Sequence, residues 1–200
     1  MANPIAAMES WRGRLLAGIL IGLGAGGYLA LGGIPGAVIF AFGLVGVVLS
    51  GAPLYTGRAG GNTRLGPLAG ILGLNIVGAA AIGLLVLACG SEESLARAAT
   101  LVDGRIAQGP WRSLSRAAGC GLIIDLTVWL YRQSKSLIPV LFGVPLFILC
   151  GFYHSIADVT YLVAAAKWDP ALLWYYPVIV LGNYLGCNVR KLIFGKEKTT

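Results

Sequence analysis

The strongest constraint on this chain is where charge is missing. Residues 15–57, 65–91, 136–157 and 170–189 contain no Lys, Arg, Asp or Glu. A hydrocarbon core about 30 Å thick is crossed by a helix of about 20 apolar residues. The first stretch therefore predicts two spans and the second predicts one. A fourth span is expected over residues 117–131, interrupted by Asp125, a fifth over residues 137–166 with a break, and a sixth over residues 171–189. Only 12% of the 200 residues are charged and 57% are hydrophobic, against about a quarter charged in a soluble domain. That composition excludes both an ordinary soluble domain and a disordered chain. The expectation is one all-α membrane domain over residues 1–200, with short tails at about 1–13 and 191–200.

The apolar stretch from Leu15 is span-length and is not followed by a small-residue cleavage site, so no cleavable signal peptide is expected. Cys89, Cys120, Cys150 and Cys187 are far apart, without the close spacing of a zinc or disulfide framework. They are expected to be small buried packing residues, and no metal or cofactor is implied. The net charge of +7 comes from basic residues flanking the apolar stretches, which fits membrane topology rather than nucleic acid. Arg12, Arg14, Arg58, Arg64, Arg132, Lys135 and the basic residues of the C-terminal tail fall on one side. Arg97, Arg105, Arg112, Arg116 and Lys167 fall on the other, where Glu92, Glu93, Asp103 and Asp169 offset them. The imbalance places both termini in the cytoplasm, with the protein in the plasma or inner membrane. Trp111, Trp129, Trp168, Trp174 and the Tyr175-Tyr176 pair sit near expected span ends, as interfacial aromatics.

The two halves of the chain repeat a pattern. The second span is interrupted over residues 50–57, where Pro53 lacks an N–H and glycines on both sides permit an irregular path. The fifth is interrupted around residues 150–155. The span that follows each break carries Asn-x-x-Gly, at Asn75 to Gly78 and at Asn183 to Gly186. Three spans per half is an odd number, so the halves enter the bilayer from opposite faces, and interrupted segments at matching positions mark the site of passage in such transporters. Irregular backbone at membrane depth persists only inside protein or beside water, so the breaks are expected to face each other along a pathway. Half-helix starts there favour an anion. His154, the only histidine, lies in the second break, and an intramembrane histidine is by default functional. Asp125 and Asp158 add two carboxylates, and Asp158 falls one helical turn after His154. Each is expected to be protonated, paired or near water, and a helix-capping role for Asp158 is the alternative.

On these residues the chain resembles the formate/nitrite transporter family of anion channels. Residues 151–158, Gly-Phe-Tyr-His-Ser-Ile-Ala-Asp, are similar to its G-F-E-H-S-[VI]-A-N signature. Leu54-Tyr55-Thr56-Gly57 resembles the end of its first-break loop. Leu181-Gly182-Asn183 resembles a motif of its last helix, and Cys120 with Val128-Trp129 resembles its fourth span. The resemblance implies an aquaporin-like protomer of six helices in two inverted three-helix repeats, with the second and fifth helices broken. It also implies a homopentamer with one pore per protomer, passing formate, nitrite, hydrosulfide or similar small monovalent anions. It assigns the central histidine to His154, its loop partner to Thr56, the apolar constrictions to Phe40, Leu44, Leu54 and Phe147, and a basic vestibule residue to Arg105. Asn183, Asp158 and Asp125 join the expected pathway. The chain departs from the family pattern at Gly121, Asp125, Tyr153 and Asp158.

A bare anion crossing those apolar rings would lose several kcal/mol of hydration, and protonation removes most of that cost. His154 either relays the proton or stays neutral and donates a hydrogen bond; the sequence leaves both open. The expected partners are a small anion, a proton, the lipid bilayer and further copies of the chain. Two other readings remain: a channel for a neutral solute such as ammonia or urea, and a non-conducting assembly subunit. A membrane hydrolase is disfavoured, since G-x-S-x-G and H-E-x-x-H are missing. Residues 91–108 alternate apolar and charged positions at helical spacing and predict an interfacial helix joining the halves.

Overall fold

The computed structural model describes residues 10–60 and 64–194. Among them are nine helices and no strand: α1 (Trp11–Leu31), α2 (Gly33–Ser50), α3 (Tyr55–Ala59), α4 (Leu65–Cys89), α5 (Glu92–Ile106), α6 (Gly109–Ser134), α7 (Ile138–Leu149), α8 (Ser155–Ala164) and α9 (Leu172–Phe194). Four of these, α1, α2, α4 and α6, are long and apolar enough to cross a membrane. The expected tails lie largely outside the described residues, and their described ends, from Trp11 and through Lys191, are helical.

The two breaks form where the sequence interrupts its apolar runs. Helix α2 stops at Gly51, whose φ of 69° lies in the left-handed region that favours glycine, and Pro53 follows two residues later. Helix α7 stops before Gly151, with φ 68°, and the chain resumes helix at Ser155. Backbone groups freed in these segments need partners, because lipid supplies none. Asn75 and Asn183, both fully buried, supply them in the same way. Asn75 Oδ1 accepts from Tyr55 N at 2.8 Å, and its Nδ2 donates to Pro53 O at 3.1 Å and Arg14 O at 2.7 Å. Asn183 Oδ1 accepts from Ser155 N at 2.8 Å, and its Nδ2 donates to Tyr153 O and Ala117 O at 2.8 Å each. Each asparagine thus ties the restart of a broken helix to the carbonyl two residues before it and to the first helix of its own half.

The glycine of each Asn-x-x-Gly lets those helices meet. A Cβ at Gly78 on α4 would fall 2.7 Å from Ile19 N on α1, and one at Gly186 on α9 would fall 2.8 Å from Leu122 N on α6. Small residues at such crossings allow backbone-to-backbone approach, which drives helix association where the hydrophobic effect does not operate. Large apolar side chains such as Ile34, Phe42, Phe142 and Leu173 point outward, as a lipid-facing surface requires. Helix α5 is the amphipathic exception: Ser91 caps it by accepting from Ser94 N at 3.2 Å, Glu92 and Glu93 occupy its first turn and Arg105 its last. It lies over α8 and α1.

Two sequence expectations need correction. Cys120 and Cys187 are buried, but Cys89 and Cys150, each at the end of its helix, are exposed. Tyr175 is not an interfacial aromatic. It is buried, since α9 starts early enough to turn this ring inward against α6 and α8.

Candidate functional site

His154 occupies the last position before α8 and caps that helix with its ring. Its Nδ1 accepts from Ala157 N at 3.3 Å, and an accepting Nδ1 carries no proton. In the neutral ring the proton therefore resides on Nε2, which faces Thr56 Oγ1 at 3.2 Å. Thr56 comes from α3, so this single contact joins the two breaks across 98 residues of sequence. Both residues are buried.

Apolar rings close the space beside this pair. Phe147 stands 5.9 Å from the His154 ring and 5.7 Å edge-on from Phe40. Phe40, Leu44, Leu54 and Phe147 are all at most 2% exposed, so the plug they form is dry.

A cavity approaches the plug from each side. The first, about 210 Å³, is lined by residues including Phe147, His154, Asp158, Arg105, Arg116 and Tyr161. The second, about 150 Å³, is lined by residues including Leu44, Leu54, Gly57, Arg58, Val128 and Arg132. Arg116 and Arg132 lie at opposite ends of α6, and at 1.5 Å per residue about 24 Å of helix separates them. The arrangement is an hourglass with arginines at both mouths and hydrocarbon, histidine and threonine at the waist.

The charge inside the first cavity is balanced locally. Arg105 forms an ion pair with Asp158, its guanidinium lying between the rings of Tyr153 and Tyr161 at 4.7 and 5.0 Å. The second carboxylate oxygen, Asp158 Oδ2, accepts from Tyr175 Oη at 2.6 Å. Burial is the largest single effect and works against the charge on Arg105, but Asp158 together with Tyr175 and Tyr161 outweighs it, and the guanidinium is held more firmly protonated than an ordinary arginine. Arg116 has another setting: it donates to Gly151 O at 3.2 Å and lies 5.6 Å from the Tyr153 ring, with no carboxylate bonded to it among the described residues.

Of the expected pathway residues, His154, Thr56, Phe40, Leu44, Leu54 and Phe147 are brought together at the waist, and Asp158 and Arg105 line the first cavity as a pair. Asp158 does not cap α8, because His154 does. Asn183 and Asp125 line neither cavity. The amide of Asn183 is bonded to backbone on all three counts above. Asp125 Oδ2 accepts from Arg190 Nε at 2.7 Å, and this pair sits beside Trp129 and Gly60 at the other end of the helices. Arg116, Tyr175 and Asn75 belong to the site or its frame but do not stand out in the sequence as such. The signal for Arg116 is a cation inside the first two turns of a spanning helix, and for Asn75 it is the match to Asn183.

Comparison with known proteins gives the same direction. The family model described as formate/nitrite transporter matches residues 64–193. No curated protein matches the sequence. Among solved structures, one titled "Pentameric formate channel with formate bound" superposes with a TM-score of 0.78 at 18% identity, covering 94% of this chain and 96% of its own. Another, titled "FNT family ion channel", superposes at 0.77 with 20% identity, covering 90% and 86%. At these identities the likeness is one of fold.

Proposed function

Because the chain belongs to the formate/nitrite transporter family, a family of multi-pass membrane transport proteins, we propose that it conducts small monovalent anions of weak acids through its own helix bundle. The observation that carries this reading is the hourglass: two arginine-bearing cavities separated by a dry plug at which His154 and Thr56 meet. In this reading the chain has six membrane crossings as two inverted halves, broken at α2–α3 and α7–α8. The matching bonds of Asn75 and Asn183 support that symmetry. Five copies assemble around a common axis, both termini face the cytoplasm, and the α5 side faces outward.

The chemistry follows from the plug. Arg116 attracts an anion into the outer cavity over the range of a Debye length, about 8 Å at physiological salt. Passage of the bare anion between Phe40, Phe147, Leu44 and Leu54 costs several kcal/mol of hydration. The neutral acid loses far less, so passage is proton-linked. At the waist the neutral His154 donates from Nε2, exchanging Thr56 for an oxygen or sulfur of the passing acid, and the ring keeps its cap on α8 throughout. Proteoliposomes containing the purified protein test this with formate, nitrite, hydrosulfide and urea at several pH values. Uptake of at least one weak-acid anion, faster at lower pH, is expected. Passage of urea alone, or of none of the four, overturns the reading.

A further inference from the structure

We propose that Asp158 is a built-in competitor for the Arg105 guanidinium, so that the outer cavity binds an anion and a proton together, and that Asp158 holds the proton the anion later takes. This rests on the conducting function above and deepens it by naming the proton-binding group.

The geometry sets up the exchange. The Arg105 side chain keeps 13% of its surface exposed while Asp158 keeps 1%, so an anion entering the cavity meets the guanidinium and finds the carboxylate behind it. The guanidinium lies between two tyrosine rings, at 4.7 and 5.0 Å, surfaces along which its plane can move without losing cation–π contact. Asp158 meets the guanidinium through Oδ1 alone, so a small oxyanion that takes one edge of the guanidinium replaces it there with equal charge and pairs at least as well. Asp158 then stands in a buried site without its cation, which costs several kcal/mol unless the carboxylate is neutralised. It is neutralised by one proton. Tyr175 Oη remains at the other oxygen and stabilises either form.

The step balances. At rest the cavity holds an arginine cation and a carboxylate anion. One anion and one proton enter, leaving the arginine paired with the anion and Asp158 as a carboxylic acid. When the anion leaves the guanidinium for the plug, the Asp158 O–H bond breaks and an O–H or S–H bond forms on the cargo. Asp158 returns to Arg105. No electron changes hands, and each cycle carries one proton with one anion. The neighbouring titratable groups do not substitute for Asp158. They are Cys120 from α6, Tyr175 and Tyr176 from α9, Tyr161 on α8, and His154 one turn earlier. His154 uses Nδ1 as the cap of α8, so taking a proton there would break that bond.

The test measures binding, not flux. Formate is added to the purified protein in weakly buffered detergent solution, and proton uptake is read with a pH indicator beside calorimetric affinity. The wild-type protein is expected to take up one proton per formate bound, with affinity falling tenfold per pH unit above the midpoint. Asp158→Asn is expected to bind formate with no proton uptake and no pH slope, and Asp158→Glu to restore both. Unchanged proton uptake in Asp158→Asn, or none in the wild type, overturns the exchange while leaving anion conduction intact. Should Asp158→Asn fail to fold, Arg105→Lys still decides: it is expected to keep one proton per formate at weaker affinity, and uptake of none overturns the proposal. A wild-type protein that neither binds nor passes any of the anions overturns the underlying function as well, and the liposome assay reports that separately.

Discussion

At the scale of single residues, His154 does two jobs with two nitrogens, and they can be separated. Nδ1 holds α8 in place and Nε2 presents a proton to the waist. Asparagine is a good helix cap but its side chain is too short to reach Thr56 from that position. His154→Asn is therefore expected to melt within a few degrees of the wild type while formate uptake falls. A hydrogen bond between neutral groups is worth about 0.5–1.5 kcal/mol, so the fall should be about two- to tenfold. Uptake at the wild-type rate would remove His154 from the pathway. Asp125 makes the opposite case, a charged residue inside a span whose work is structural. It is paired with Arg190 at 2.7 Å, with side-chain exposures of 12% and 7%, and removing one member of such a pair strands a buried charge at a cost of about 3–5 kcal/mol. Asp125→Leu should lower the melting temperature sharply, and Asp125→Leu with Arg190→Met should recover most of the loss. Equal melting of the single and double variants would mean the pair carries no mutual stabilisation.

At the scale of elements, the two broken helices are held by amides rather than by their own hydrogen-bond ladders. Changing Asn75 or Asn183 to Ala removes three hydrogen bonds and leaves buried backbone groups unpaired, each costing about 1–3 kcal/mol. Both variants are expected to be strongly destabilised in detergent, and to similar degrees because the bond sets match. A large difference in melting temperature between them would show that the two breaks are not equivalent. The breaks themselves were legible in the sequence, because Gly51, Pro53 and Gly151 disturb the backbone whatever surrounds them. The recurrence of Asn-x-x-Gly is legible too, but its role is not: the pattern does not reveal that the Asn183 amide is spent on backbone groups. Charged pairs were hidden for a similar reason. Arg105 and Asp158 are 53 residues apart and Asp125 and Arg190 are 65, so each charge looks isolated until helix packing selects its partner. The burial of Tyr175 is not legible from its nearness to a span end, because that is a one-dimensional cue and burial depends on which way the helix is rotated.

At the scale of the whole molecule, the two cavities and the plug between them are built from both breaks of one fold, with Phe147 and His154 on one side and Leu44 and Leu54 on the other. In the pentamer proposed above, each protomer then carries its own route. This makes a quantitative demand on mixed assemblies. If each protomer conducts alone, co-expressing wild-type and His154→Asn chains and purifying the mixed pentamers should give uptake proportional to the fraction of wild-type chains. A pathway on the shared axis, or a gate that needs all five copies, would give uptake falling with a high power of that fraction, so that half-mutant mixtures would be nearly silent. Proteoliposome flux measured across several mixing ratios, with chain fractions read by mass spectrometry, separates the two curves most clearly near equal mixing. The linear outcome is the one expected of a plug whose rings, histidine and threonine pack together within one fold, since the free-energy barrier is then set inside a protomer.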